Sequence, residues 1–192
     1  MIDILYNAER REPYKHISSM HQKALDLVDT YFKDKKDKGG NDYRNHLWDV
    51  ARNLGEYASK QCKDKYSSLG IYYNKAFIVA LLHDLFEDTS VDAEMLIAAG
   101  IDDPEVISAI AAMAKMKNER YIDYIKKVYL NDIARLVKIF DLENNMDIRR
   151  LPTFNEKDIK RTKKYWFCWK FLKDELDIET VEANLYKQKM DP

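Results

Sequence analysis

The stretch that most constrains the fold of this chain is an apolar run, residues 76–82, that leads directly into a group of ionisable side chains. The run reads Ala-Phe-Ile-Val-Ala-Leu-Leu, and His83, Asp84, Glu87 and Asp88 follow it. Because the run has no polar stripe, it predicts a helix that is buried on nearly all sides. On one continuous helix the four ionisable groups would span an arc of ~140°, with His83 beside Glu87 and Asp84 beside Asp88.

Burial of these four groups beside Leu and Phe is unfavourable unless a partner neutralises them, and a bound cation is the usual partner. The alternative is an amphipathic helix whose acidic face lies in solvent, which would be the better interpretation of an isolated His-Asp pair. The apolar run before His83 favours the first interpretation. The sequence therefore predicts a buried polar site at the end of this helix.

Length and charge predict one soluble globular domain. The chain has 192 residues, enough for a substantial core, and a formal net charge of −1, which gives no general attraction to nucleic acid or to a membrane surface. No apolar stretch is long enough to span a bilayer, and the first residues are unlike a signal peptide. The 2 cysteines lack a CxxC spacing and are typical of free thiols, so we expect a cytoplasmic protein.

Helical periodicity dominates the chain, which contains only 5 glycines and 4 prolines. It predicts an all-α single domain with its core over about residues 18–170. Residues 1–15 are expected to be an irregular or partly helical lead-in, and residues 33–42 a solvated loop without an apolar anchor. Helices are predicted over residues 17–32, from 43 past 57, and over 72–88, 92–99, 105–116, 120–130, 132–146, 156–175 and 178–189.

Two further helices place polar side chains beside apolar residues. His46 lies on an apolar helix face, where a lone histidine is more often a hydrogen-bonded core residue than a metal ligand. Asp141 follows an apolar segment, and carboxylates are rarely fully buried without a partner; alone, it would be a satisfied acid near a helix end. With His83 and Asp84 these residues form a set of two imidazoles and two carboxylates. Such a set suits Mn²⁺, Fe²⁺ or Zn²⁺ with positions left open for water.

The order His…His-Asp…Asp resembles the HD-domain metal-dependent phosphohydrolases. Residues 83–89, HDLFEDT, are similar to the HDxxEDT segment of the hydrolase domain of RelA/SpoT proteins, and residues 137–146, VKIFDLENNM, are similar to its VKxADxxxNM segment. Gly40 and Tyr43 match the glycine and tyrosine that precede the first histidine there. The resemblance covers about residues 18–170 without the synthetase and regulatory domains, so it is to the small stand-alone alarmone hydrolases.

This resemblance implies an HD-type helical bundle that hydrolyses the 3′-diphosphate of a (p)ppGpp-like nucleotide, a small-molecule substrate. It implies one divalent metal ion, with Mn²⁺ favoured, held by His46, His83, Asp84 and Asp141. Glu87 and Asp88 would orient the attacking water and transfer protons as general base and acid. The candidate substrate contacts are Asn145, Lys138, Arg44, Lys115 and Tyr121.

Two positions depart from the family pattern. The arginine that stacks on guanine is Asp37 here, and the proline after the first histidine is Leu47. Without that planar cation, and with glycines making the loop mobile, we expect weak discrimination between guanine and adenine. Two other functions stay open: a phosphatase acting on another phosphorylated nucleotide, such as a nucleoside monophosphate or NADPH, and a helical module that binds a nucleotide without cleaving it. The segment Glu87-Asp88-Thr89 favours the alarmone-type site over a nucleotidase.

Overall fold

The computed structural model describes the backbone of residues 2–187 and the side chains of residues 16–185. Within this range the helices pack around one hydrophobic core, no strand is formed, and no helix is both long and apolar enough to cross a bilayer. The predicted all-α single-domain bundle is confirmed. The helices are α1 (Ile2–Phe32), α2 (Tyr43–Gln61), α3 (Ser68–Leu82), α4 (Leu85–Asp88), α5 (Ala93–Ala98), α6 (Pro104–Met113), α7 (Tyr121–Tyr129), α8 (Asp132–Asn145), α9 (Glu156–Leu172) and α10 (Ile178–Lys187), with a 3-10 turn at Ile148–Arg150.

Helix α3 is the centre of the bundle, because its second half, residues 76–82, is apolar throughout and the helix packs against α1, α2, α6 and α8. Its last turns, from Ile78 to Leu82, are completely buried. Each large apolar side chain buried there stabilises the fold by about 1.5–3 kcal/mol. Since α2 and α8 both contact α3, side chains that they direct towards its C-terminal end can meet at one point.

The continuous helix predicted over residues 72–88 is wrong, because α3 and α4 are separate helices with His83 and Asp84 between them. His83 Nδ1 lies 2.8 Å from the carbonyl oxygen of Ala80, which in a continuous helix would accept the amide of Asp84. Asp84 has φ −97° and ψ 1°, between the helical and extended regions. The side-by-side arrangement of His83 and Glu87 expected for one helix therefore does not apply.

Helix α1 begins at Ile2, so residues 2–15 of the lead-in, expected to be irregular or partly helical, are part of a longer helix. That segment contains several residues of high helix propensity, including Ala, Leu, Glu, Arg and Lys, which outweigh its single proline. The ends of α6 and α9 each lie three residues before the predicted positions.

Other helix ends agree with the sequence. Asp92, Asn131 and Asn155 each accept an amide of the first turn of α5, α8 and α9. Gly100 has φ 84°, in the left-handed region that favours glycine after a helix. The cap of α8 bears on the site, because this helix carries Asp141.

Replacing Asn131 by Ala should lower the free energy of unfolding by about 1 kcal/mol, since the Ala134 amide, 2.9 Å from Asn131 Oδ1, loses its acceptor. Asn131→Asp keeps an oxygen at the cap and should stay within about 0.5 kcal/mol of the wild type. Urea unfolding measures both values, and the slope of the free energy of unfolding against urea concentration should be the same in all three proteins. Equal stability of Asn131→Ala and the wild type would contradict the capping role.

Candidate metal centre

The four predicted metal ligands lie together at the C-terminal end of α3. His46, on α2, has a ligand atom within 4.8 Å of those of His83 and Asp84. Asp141 Oδ1, on α8, lies 3.2 Å from His46 Nε2 and 3.5 Å from His83 Nε2. Asp84 Oδ2 lies 3.7 Å and 3.1 Å from the same two nitrogens. Two imidazole nitrogens and two carboxylates therefore face one point.

Both imidazoles present Nε2 to this point because Nδ1 is already bonded. His46 Nδ1 lies 2.7 Å from Asn144 Oδ1, and His83 Nδ1 lies 2.8 Å from the Ala80 carbonyl oxygen. Both partners are acceptors, so Nδ1 carries the proton and Nε2 of the neutral ring keeps its lone pair. His83 Nε2 is buried and makes no hydrogen bond. A buried nitrogen lone pair beside two carboxylates fits a metal ion.

The two carboxylates are held by neighbouring donors. The Tyr43 hydroxyl donates to Asp84 Oδ2 at 2.5 Å. Lys138 Nζ donates to Asp141 Oδ2 at 2.8 Å, and Asn145 Nδ2 donates to Oδ1 at 2.6 Å. Lys138 and Asn145, which the sequence predicts as substrate contacts, thus also orient a candidate ligand.

Burial and charge act in opposite directions on these groups. Burial alone would raise the pKa of Asp141, but Lys138 and the imidazoles hold this pKa well below its usual range. The pKa of Asp84 is also low, because His83 outweighs the effect of burial. Burial alone would lower the pKa of His83, and Asp84 and Asp141 instead raise it well above the usual value. The two carboxylates therefore attract positive charge to Nε2 of His83, as a proton or as a metal ion.

The cluster borders a cavity of about 460 Å³. Glu87 and Asp88, predicted for proton transfer, line this cavity together with Lys115 and Tyr121. Glu87 Oε2 accepts the backbone amide of Lys115 at 3.1 Å, and Asp88 forms an ion pair with Lys35. The Tyr121 hydroxyl is buried without a hydrogen-bond partner, and burial raises its pKa well above the usual value.

Arg44 does not line this cavity. Its guanidinium bonds Asp42 Oδ2 at 2.7 Å and Asp29 Oδ1 at 2.8 Å near the start of α2. Arg44 precedes His46 by two residues, which suggests from the sequence that it lies near the metal ligands. On a helix, however, two residues of separation turn the side chains ~200° apart. Arg44 is therefore not among the residues that we propose to contact phosphate.

The loop before α2 is held in place, which corrects the mobile loop expected from the sequence. Asp37 Oδ1 accepts the amides of Gly39 and Asn41, both at 2.8 Å, and Asp37 Oδ2 lies 3.2 Å from Arg150 Nη2. The loop indeed lacks an apolar anchor, but an ion pair takes its place. Arg150 is distant in sequence and gives no local signal of this contact.

Helix α9 contributes cations that the sequence does not predict as site residues. Arg161 lines the cavity, and Lys164 Nζ lies 4.1 Å from the centre of the Tyr121 ring. Burial, together with the nearby charges of Lys138 and Arg161, lowers the pKa of Lys164. The available signal is the i, i+4 spacing of Arg161 and Tyr165, which places the arginine on the helix face that docks on the core.

Compared with Lys164→Met, the wild type should become more stable as pH rises towards the ordinary lysine pKa. A lysine whose pKa is lowered by folding binds fewer protons when folded than when unfolded, so its charge destabilises the fold at neutral pH. This penalty disappears above the unfolded pKa of about 10.4. Urea unfolding at several pH values measures the difference. Lys163→Met, at an exposed neighbour, should show no such trend, and a pH-independent difference for Lys164→Met would contradict the lowered pKa.

The functional assignment depends on these residues and their geometry. They comprise two oriented imidazoles, two supported carboxylates and a cavity lined by further acids and cations. The resemblance to RelA/SpoT hydrolase domains stays a prediction from two sequence segments. Comparison of the chain with models of protein families and with curated protein sequences gave no match.

Proposed function

We propose that this protein is a metal-dependent phosphohydrolase that removes the 3′-diphosphate of a (p)ppGpp-like nucleotide. The observation that supports this best is that each of two Nε2 atoms lies within 3.1–3.7 Å of an oxygen of both carboxylates, beside a cavity. Structural metal sites are normally closed by four protein ligands, whereas catalytic sites keep a position open to solvent or substrate. A centre that borders a cavity suits the second kind.

The ion would be held by His46, His83, Asp84 and Asp141. Mixed nitrogen and oxygen donors suit Mn²⁺, with Fe²⁺ and Zn²⁺ as alternatives. The buried Nε2 of His83, which makes no hydrogen bond, fits a ligand role. Such an ion, when bound, lowers the pKa of water and stabilises negative charge on phosphoryl oxygens.

Glu87 and Asp88 are the groups proposed to orient water and transfer protons. The Lys115 amide fixes the Glu87 carboxylate, and Lys35 fixes that of Asp88. The water oxygen attacks the phosphorus joined to the ribose 3′ oxygen, and the bond between this phosphorus and the 3′ oxygen breaks. One carboxylate takes the proton of the water, and a proton is returned to the 3′ oxygen. The products are pyrophosphate and a nucleotide with a free 3′ hydroxyl.

Other side chains in the cavity suit a phosphorylated ligand. Lys115 and Lys138 offer positive charge, and Asn145 offers an amide for phosphate or ribose oxygens. The buried hydroxyl of Tyr121, which lacks a partner, can donate a further hydrogen bond. Since the chain has a net charge of −1, this local positive charge favours a small anionic substrate over nucleic acid.

Purified wild-type protein loaded with Mn²⁺ should retain close to one equivalent, and Asp84→Ala should lose most of it, because one of the four ligands is gone. Elemental analysis measures the content after dialysis. Arg44→Ala serves as a control outside the cavity and should retain the metal. Equal metal content in the wild type and Asp84→Ala would contradict the proposed centre.

Glu87→Gln and Asp88→Asn should each lower kcat roughly 10²–10⁴-fold with little change in metal content, because an amide side chain can serve neither as the general base nor as the general acid. The assay measures pyrophosphate and orthophosphate released from ppGpp by the Mn²⁺-loaded protein. Glu94→Gln, at an exposed position on α5, is the control and should react at the wild-type rate. A wild-type rate in Glu87→Gln would show that the proposed role is wrong.

The same assay separates the alternative functions. Release of orthophosphate from a nucleoside monophosphate or NADPH, without pyrophosphate from ppGpp, would identify a nucleotide phosphatase. Binding of these nucleotides without any release of phosphate would identify a module that does not cleave its ligand. Release of pyrophosphate as the first product is the expected result.

A further inference from the structure

We infer that Asn144, Arg150 and Asp37 form a positioning relay, which fixes the orientation of His46 and ties it to the loop over residues 33–42. None of the three is a proposed metal ligand or a proposed catalytic residue. The inference rests on the metal centre of the proposed function. It assigns to these residues the task of presenting His46 Nε2 to the ion.

The first step of the relay is the bond between Asn144 and His46. Asn144 is only 8% exposed, and its Oδ1 lies 2.7 Å from His46 Nδ1. The same Oδ1 accepts a hydrogen bond from Arg150 Nη1. Because a guanidinium can only donate, the atom that faces it is the amide oxygen, and the amide cannot be reversed. His46 therefore donates from Nδ1, which leaves Nε2 for the ion.

The second step is the double use of the Arg150 guanidinium. Nη1 bonds Asn144 Oδ1 and also the Asn144 backbone carbonyl oxygen, at 3.2 Å, and it lies 3.4 Å from His46 Nδ1. Nη2 lies 3.2 Å from Asp37 Oδ2. A planar fork can serve both partners at once, whereas the single ammonium of a lysine cannot hold the same geometry.

The third step is the docking of the loop on the 3-10 turn. Asp37 Oδ1 accepts the Gly39 amide at 2.8 Å. A Cβ atom on Gly39 would lie 2.7 Å from the Arg150 backbone carbonyl oxygen, so the two segments approach too closely for a side chain there. Lys36 and Lys38 of this loop line the cavity. The position of these cations and the orientation of His46 therefore depend on the same arginine.

Neighbours of identical type do not share these contacts. Arg149 has a side chain that is 86% exposed, and it pairs with Asp147 at 2.7 Å. The amide of Asn145 donates to Asp141, whereas the amide oxygen of Asn144 bonds His46 Nδ1. The chain thus supplies a matched control for the arginine of the relay.

The test measures the Mn²⁺ affinity of the purified full-length chain by isothermal titration calorimetry. Asn144→Leu and Arg150→Gln should each bind Mn²⁺ about 10–100-fold more weakly than the wild type, as is usual when the partner of a metal-ligating histidine is lost. Because Arg150 acts through Asn144, the double variant should lose no more than Asn144→Leu alone. Arg149→Gln should bind like the wild type.

Asn144→Asp separates positioning from packing. A carboxylate accepts the Nδ1 proton of His46 and pairs with Arg150, so this variant should bind Mn²⁺ almost as tightly as the wild type. Asn144→Leu has a similar volume but no hydrogen-bond acceptor, so this variant should bind Mn²⁺ more weakly than the wild type. If Arg150→Gln fails to fold, as judged by its thermal unfolding without metal, the comparison between Asn144→Asp and Asn144→Leu decides the matter.

Wild-type affinity in a folded Arg150→Gln variant would overturn the relay, and so would fully additive losses in the double variant. Equal weakening by Asn144→Asp and Asn144→Leu would also overturn it. These results would leave the metal centre standing. Failure of the wild type to bind Mn²⁺, Fe²⁺ or Zn²⁺ would instead overturn the metal centre and the relay together, which distinguishes the two failures.

Discussion

The burial of Asp141 against two imidazoles, with the partly buried Asp84 beside them, is the constraint on which the rest of the site depends. Asp141 is 3% exposed and His83 is 1% exposed, so little water solvates either group. Removing a charged group from water costs several kcal/mol unless nearby groups offset it. Lys138 and Asn145, which both belong to α8, do this for Asp141. A cation between the carboxylates and the Nε2 atoms would complete the balance.

The interruption between α3 and α4 makes such a site possible directly after the apolar segment 76–82 of α3. Asp84 occupies the N-cap position of α4, where an aspartate normally accepts a first-turn amide and stabilises the helix by about 1 kcal/mol. Its side chain makes no capping bond. The carboxylate instead accepts the Tyr43 hydroxyl and faces His83. The structure thus forgoes a local stabilising contact, and the aspartate is placed where its charge can act.

Sequence patterns predict what depends on local periodicity, and they miss what depends on distant ionic contacts. The helix class and caps such as Asn131 follow from nearby residues, and the meeting of Asp141 with His83 follows because each ends an apolar segment. The pair between Asp37 and Arg150 joins two polar segments 113 residues apart, so no periodic pattern indicates it. The break at His83 depends on a bond from a side chain to the backbone, which leaves no trace in hydropathy.

Adjacent residues of α8 divide the support of the two kinds of ligand. Asn144 and Asn145 are ~100° apart around the helix, so one amide reaches His46 and the other reaches Asp141. Because both amides belong to one turn of α8, the histidine and carboxylate supports keep a fixed relation to each other. The loop over residues 33–42 joins this rigid unit through Arg150. If the loop separated from the 3-10 turn that carries Arg150, the ion pair between Arg150 and Asp37 would break. The Asn144 amide that orients His46 would then depend on an arginine that is no longer held in place.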